Sequence, residues 1–164
     1  MIHTISRMLP RSPVVHVALV CFVYAIVVAA AISEKQPWFD EGGYANPAYN
    51  LLNYGHLGMP ILYSQLEVWP GMDYYTYHMP PLSFVLQAGW FALFDFGVIQ
   101  MRTLSALFGV LLIISLYLFL RRISENHWQA LLAALIVATD YNITLWAADG
   151  RMDIMSAAWG FAAP

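Results

Sequence analysis

Charge is what this sequence lacks most. Only 10% of its 164 residues are charged, against roughly 25% in an ordinary globular domain. Seven Lys and Arg face ten Asp and Glu, so there is no basic footprint for nucleic acid. A disordered segment is excluded from the other side, because disorder needs few apolar residues and many charges. The single cysteine, Cys21, excludes an internal disulfide. No Cys/His cluster has the spacing of a zinc site. What remains is apolar: hydrophobic residues make up 60% and the mean hydropathy is +0.60. A soluble chain this short has too much surface to hide so many apolar side chains. These limits point to an all-α, polytopic membrane protein.

A helix needs about 20 mostly apolar residues to cross the hydrocarbon core. The runs 14–32 and 103–120 qualify, with His16, Ser105 and Ser115 as their polar interruptions. The run 127–147 qualifies less cleanly because Asp140 and Asn142 fall in its last third. An Asp at mid-bilayer costs on the order of 2.5 kcal/mol or more. The helix is therefore expected to loosen there near an interface, or to turn these residues toward protein. A further apolar run begins at 154, and the segment 79–96 opens on Pro80-Pro81 and holds Gln87, Gly89 and Asp95. Arg7 and Arg11 precede the first run, and Ala29-Ala30-Ala31 would suit a signal peptidase. That run is long for a signal peptide, and further runs follow, so it reads as an uncleaved signal-anchor.

Basic residues collect on the cytoplasmic side. Arg7 and Arg11 put the N-terminus inside, and Arg121-Arg122 is the strongest later basic signal. Both obey the rule if 79–96 is an interfacial or re-entrant helix and only 103–120 runs inward. The loop 33–78 and the stretch 149–153 then share the extracytoplasmic side. That loop is rich in aromatics, among them Trp38, Phe39, Tyr44, Tyr49 and Tyr54. Such rings favour the headgroup zone and suggest short helices along the membrane surface. Tyr44, Ala48, Leu51 and Leu52 have helical spacing; Gly55 and Gly58 should end that helix, and Pro60 should keep it from resuming. Asp40-Glu41 lies between Trp38-Phe39 and Gly42-Gly43. A carboxylate pair in such a setting is costly to desolvate and can serve as base or ligand. Neighbours on a helix point about 100° apart, so one of the two should face a cleft and the other do something else.

Several blocks, taken in order, resemble a known family. They are Trp38-Phe39-Asp40-Glu41-Gly42-Gly43-Tyr44 with Ala48, Tyr49-Asn50-Leu51-Leu52 and Gly55; then His78-Met79-Pro80-Pro81-Leu82; then Phe94, Gly97 and Arg102-Thr103-Leu104-Ser105-Ala106-Leu107-Phe108-Gly109; then Arg121-Arg122 and Arg151-Met152-Asp153. Together they resemble the N-terminal part of the dolichyl-phosphate-mannose protein mannosyltransferase-like family, whose relatives include the lipid A aminoarabinose transferases. The resemblance implies the GT-C membrane glycosyltransferase fold. It also implies transfer of a sugar from a polyprenyl-phosphate donor to a protein, lipid or glycan on the extracytoplasmic face of the cell membrane. Each motif alone is weak; their order and spacing carry the likeness.

The resemblance makes Asp40 the base, with Glu41 orienting a loop or the acceptor, and Asp153 the acid of a second motif. It places Arg102 near the donor phosphate, where His78 could also donate. Asp149 precedes Asp153 by four residues and would share its face on a continuous helix. No cofactor is expected, since transfer from a lipid monophosphate needs no metal. A divalent ion between Asp40 and Asp153 is the alternative. The family's enzymes continue for several more helices, so the chain is expected to be an N-terminal portion that is inactive alone. The rival reading is a non-enzymatic membrane protein, such as a transporter subunit or assembly factor. Transporters favour midplane charges; here the acids collect at the ends of the runs.

Overall fold

The computed structural model describes residues 12–63, 70–76 and 79–162. Among these the chain is helical: α1 Pro13–Glu34, α2 Phe39–Tyr54, α3 Pro60–Tyr63, α4 Pro81–Phe94, α5 Val98–Ser124, α6 His127–Ala138, α7 Tyr141–Ala148 and α8 Asp153–Ala162. His78 and the Arg7 and Arg11 flank lie outside the described residues.

Pro13 starts α1 at a position where a missing N–H costs nothing and its fixed φ suits a helix. At 1.5 Å per residue, the 22 residues of α1 and the 27 of α5 reach at least about 33 Å, enough for a hydrocarbon core of about 30 Å. Both are apolar enough to cross a membrane. The helix α5 begins at Val98, before the apolar run at 103, and so takes Arg102 inside itself. The α6–α7 pair is apolar enough to form a third span but bends by 53° at Thr139–Asp140. Asp140 makes that break inexpensive: its side chain accepts the Ile143 N–H at 3.0 Å and caps α7. The 14 residues of α4 give only about 21 Å, too short to span.

The main core is built on one stripe of α1. His16, Val20, Tyr24 and Val28, each four apart, are all buried. They pack with Ile113 and Tyr117 of α5 and with Ala130, Ala134 and Ala138 of α6. Three fully buried alanines at four-residue spacing let the α6 backbone approach closely, as small residues do between membrane helices. Gly109 does the same for α5: a Cβ there would collide with the Tyr24 ring and hydroxyl. A second core joins α2 and α4 through Ala45, Ala48, Phe84, Ala88 and Phe91, with Met101 of α5.

The helix α2 ends at Gly55, whose φ of 74° closes the helix with an N–H bond to Leu51 O. Pro60, expected only to block a helix, instead starts α3, because proline is well placed in a first turn. The buried Asn50 ties α2 to the following loop through Gly58 O at 2.9 Å.

The contacts fix directions. Near Lys35, α1 meets Arg102 of α5 and Asp149 after α7. Near His16, it meets His127 at the start of α6, which also meets Tyr117 of α5. Hence α5 runs antiparallel to α1 and the α6–α7 pair runs parallel to it. The Asp40 and Asp149–Asp153 segments therefore lie at one end of the bundle, and Arg121 at the other.

Replacing Gly109 by Ala should displace Tyr24 and destabilise the bundle by about 1–3 kcal/mol. Thermal unfolding in detergent would show this as a lower Tm, and an unchanged Tm would contradict the packing.

Candidate active site

The site rests on a buried ion pair. Arg102 and Glu41 are each 2% exposed. Arg102 Nε donates to Glu41 Oε1 at 2.6 Å and Nη2 to Oε2 at 2.9 Å, a bidentate pair. Glu41 Oε2 also accepts the Trp38 N–H at 2.7 Å, so it caps its own helix as well. The remaining Arg102 donors reach backbone carbonyls: Ile32 at 3.1 Å, Lys35 at 2.9 Å and Gln36 at 3.2 Å. Carbonyls at a helix C-terminus lack intrahelical partners and carry partial negative charge. One guanidinium thus closes the end of α1, the start of α2 and the wall of α5.

All five N–H donors of Arg102 are used within the protein. Glu41 accepts from Arg102 and from the Trp38 N–H and holds the loop in place. The prediction that the two neighbouring carboxylates take different roles matches the geometry, since Asp40 is exposed and Glu41 buried.

A second ion pair joins Lys35, just past α1, to Asp149, the C-cap of α7. Asp149 and Asp153 do not share a helix face as expected. The chain breaks at Gly150, which adopts φ +64°, a left-handed conformation open to glycine. A Cβ there would also press on the Met101 side chain at 2.7 Å. Arg151 O accepts the Ser105 hydroxyl at 2.8 Å, and α8 then starts at Asp153. Arg102 and Ser105 are three apart on α5, hence neighbours on one face. That face holds both acidic segments, one by a side chain and one by a backbone.

Between them lies a polar cleft of ≈ 20 Å³ lined by Trp38, Asp40, Glu41, Tyr44, Asp149 and Arg151. That is room for about one water. Tyr44 stands one helical turn after Asp40. The Arg151 guanidinium lies 5.7 Å from the Tyr44 ring centre and 6.0 Å from that of Trp146, within cation–π range. Its Nε donates to Asp153 Oδ2 at 2.8 Å. This hydrogen bond, more than any other influence, raises the Arg151 pKa further, and Tyr44, Asp153 and Asp40 add to it. Burial raises the Tyr44 phenol above its usual range; the Asp40 and Asp153 charges add to this and Arg151 opposes it. Lys35 is lowered, chiefly by burial. Asp153 does not itself line this cleft but holds Arg151, which does.

Of the four carboxylates gathered here, Glu41, Asp149 and Asp153 each have a cationic partner. Asp40 alone has no ion pair among the described residues. No group of three His, Cys, Asp or Glu side chains able to hold a metal ion occurs among the described residues. Sequence reasoning missed Tyr44 and Ser105 and gave Lys35 no role, although Lys35 is the lone base of an otherwise acidic loop.

The family model of dolichyl-phosphate-mannose-protein mannosyltransferases matches residues 78–163, just over half of the chain. Neither the curated proteins nor the solved structures contain a match.

With its folded pKa raised, Tyr44 contributes stability that is complete below about pH 10, where a free tyrosine ionises. That stability is lost as pH rises through the folded value. Phenolate absorbance of wild type minus Tyr44→Phe should therefore show one group titrating above pH 10, and a component titrating at or below that value would contradict the burial.

Proposed function

The chain belongs to the dolichyl-phosphate-mannose-protein mannosyltransferase family, and from that premise we propose that it transfers a sugar from a polyprenyl-phosphate donor to an acceptor hydroxyl at the extracytoplasmic face, with Asp40 as the base. At the coarser level this is a membrane protein of a glycosyltransferase family. The observation that carries the base assignment is that Asp40 is the one unpaired carboxylate lining the cleft.

In this reading the acceptor hydroxyl hydrogen-bonds to Asp40. The acceptor oxygen forms a bond to the anomeric carbon from the side opposite the phosphate, and its proton passes to Asp40. The bond from that carbon to the phosphate oxygen breaks, and polyprenyl phosphate leaves. Direct displacement of this kind inverts the anomeric centre. Negative charge that develops on the leaving phosphate needs a fixed cation. Arg151 takes that part in place of Arg102. It lines the cleft, stays charged and uses only Nε on Asp153, leaving its outer nitrogens for the phosphate. Asp153 is then a positioning residue. Lys35 and Asp149 hold the turn that carries Arg151.

A place for the donor's apolar chain supports the same reading. A groove of ≈ 210 Å³ between α4 and α8 is lined by Leu82, Leu86, Met155 and Trp159 among others. Ser83, on its wall, meets the sulfur of Met152, the residue that follows Arg151 in the chain, at 3.6 Å.

Asp40→Asn should lower transfer from a polyprenyl-phosphate-mannose donor by roughly 10²- to 10⁴-fold, the usual contribution of a positioned base. The variant should fold normally, because Asp40 is exposed and supports no ion pair. A mannosyl-transfer assay on the full coding sequence checks this, and unchanged turnover would end the base assignment.

A further inference from the structure

At the opposite end of the bundle, an apolar groove of ≈ 360 Å³ runs between α1 and α5. Val17, Ala18, Cys21, Val110 and Ile114 form its wall, and Tyr117 and Arg121 form its rim. We propose that this groove binds one acyl chain of an anionic membrane phospholipid, whose phosphate rests on Arg121. The proposal is independent of the transfer reaction above.

The charge at the rim selects the occupant. The wall offers nothing polar for a peptide or a sugar, and the volume lies in the range of small-ligand pockets. The outer faces of both helices are apolar here, with Val14 at 76% and Leu118 at 57% exposure, so the groove opens toward the acyl region of a bilayer. An apolar tail alone would leave a guanidinium unanswered at the rim. An amphiphile with a phosphate head satisfies both parts.

Arg121 is also held in place for this contact. Its Nη1 donates to the Tyr117 hydroxyl at 3.2 Å. Tyr117 Oη lies 2.8 Å from His127 Nδ1, and His127 Nε2 lies 2.9 Å from His16 Nδ1. The Tyr117 oxygen accepts from Arg121, and which way the two further bonds run depends on the imidazole tautomers. Side chains from α1, α5 and α6 thus fix one Arg121 nitrogen. Among the described residues its other donors have no hydrogen-bond partner, and they suit a bidentate phosphate contact.

Native mass spectrometry of the full chain in detergent, with phosphatidylglycerol and phosphatidylcholine of equal acyl composition, tests the proposal. Wild type should retain one phosphatidylglycerol in about fivefold preference, the size of effect expected of one Arg at an anionic membrane surface. Arg121→Gln should abolish the preference. Tyr117→Phe, which removes the hydroxyl that holds Arg121 and also meets His127, should weaken it. Cys21→Trp, which fills the groove, should abolish retention of both lipids. Arg122→Gln should change nothing, since Arg122 does not line the groove. Equal effects of Arg121→Gln and Arg122→Gln would reduce the site to general surface attraction and overturn it. Undiminished retention in Cys21→Trp would overturn it too, as would a lipid-free second copy or no lipid on the wild type.

Discussion

The contact between Arg102 and Glu41 holds the site end of this molecule together. A charge inside an apolar bundle is tolerated only with a partner and filled hydrogen bonds. Arg102 has both, and its partners come from three places: the end of α1, the start of α2 and the loop between them. A lysine at the same position would offer a point charge with three donors rather than a fixed fork of five. The loop between the first two long helices is therefore anchored to the bundle by geometry and not merely by its aromatic rings. Because Glu41 is pinned at the third position of α2, Asp40 is set at the second and turned away from the core.

From that anchor the chemistry divides among neighbouring acids. Three are neutralised, each by a different cation, and one is left exposed at a water-sized cleft. The pairing has a mechanical consequence. Lys35 with Asp149, and Ser105 with the Arg151 carbonyl, hold the Gly150 turn against α1 and α5. The guanidinium of Arg151 can then stand over Tyr44 while Asp153 holds its Nε. At the far end one hydrogen-bonded chain runs from Arg121 through Tyr117 and His127 to His16, with no carboxylate in it.

The long helices were legible because composition alone reports them: long, mostly apolar runs lie within α1 and α5. The break in the third run was legible too, since Asp140 cannot sit cheaply in a continuous apolar helix and is instead a cap. The end of α2 at Gly55 followed from glycine's access to left-handed backbone. Partnership was not legible. Nothing local in the sequence tells that Arg102 meets a residue 61 positions away, so the pairing with Glu41 is visible only in the fold. The same limit made Asp149 and Asp153 look like one helix face, because the turn at Gly150 depends on Met101 and Ser105 of another helix. The uncommitted role of Asp40 became visible only once its neighbours' partners were known.

A double-mutant cycle at Arg102 and Glu41, read as thermal stability in detergent, tests the anchor most directly. Arg102→Met or Glu41→Leu alone leaves a buried charge without its partner and should cost about 3–5 kcal/mol. The two together remove both charges and should cost clearly less than the sum. Additive losses would mean that the two side chains do not depend on each other, and would contradict the account.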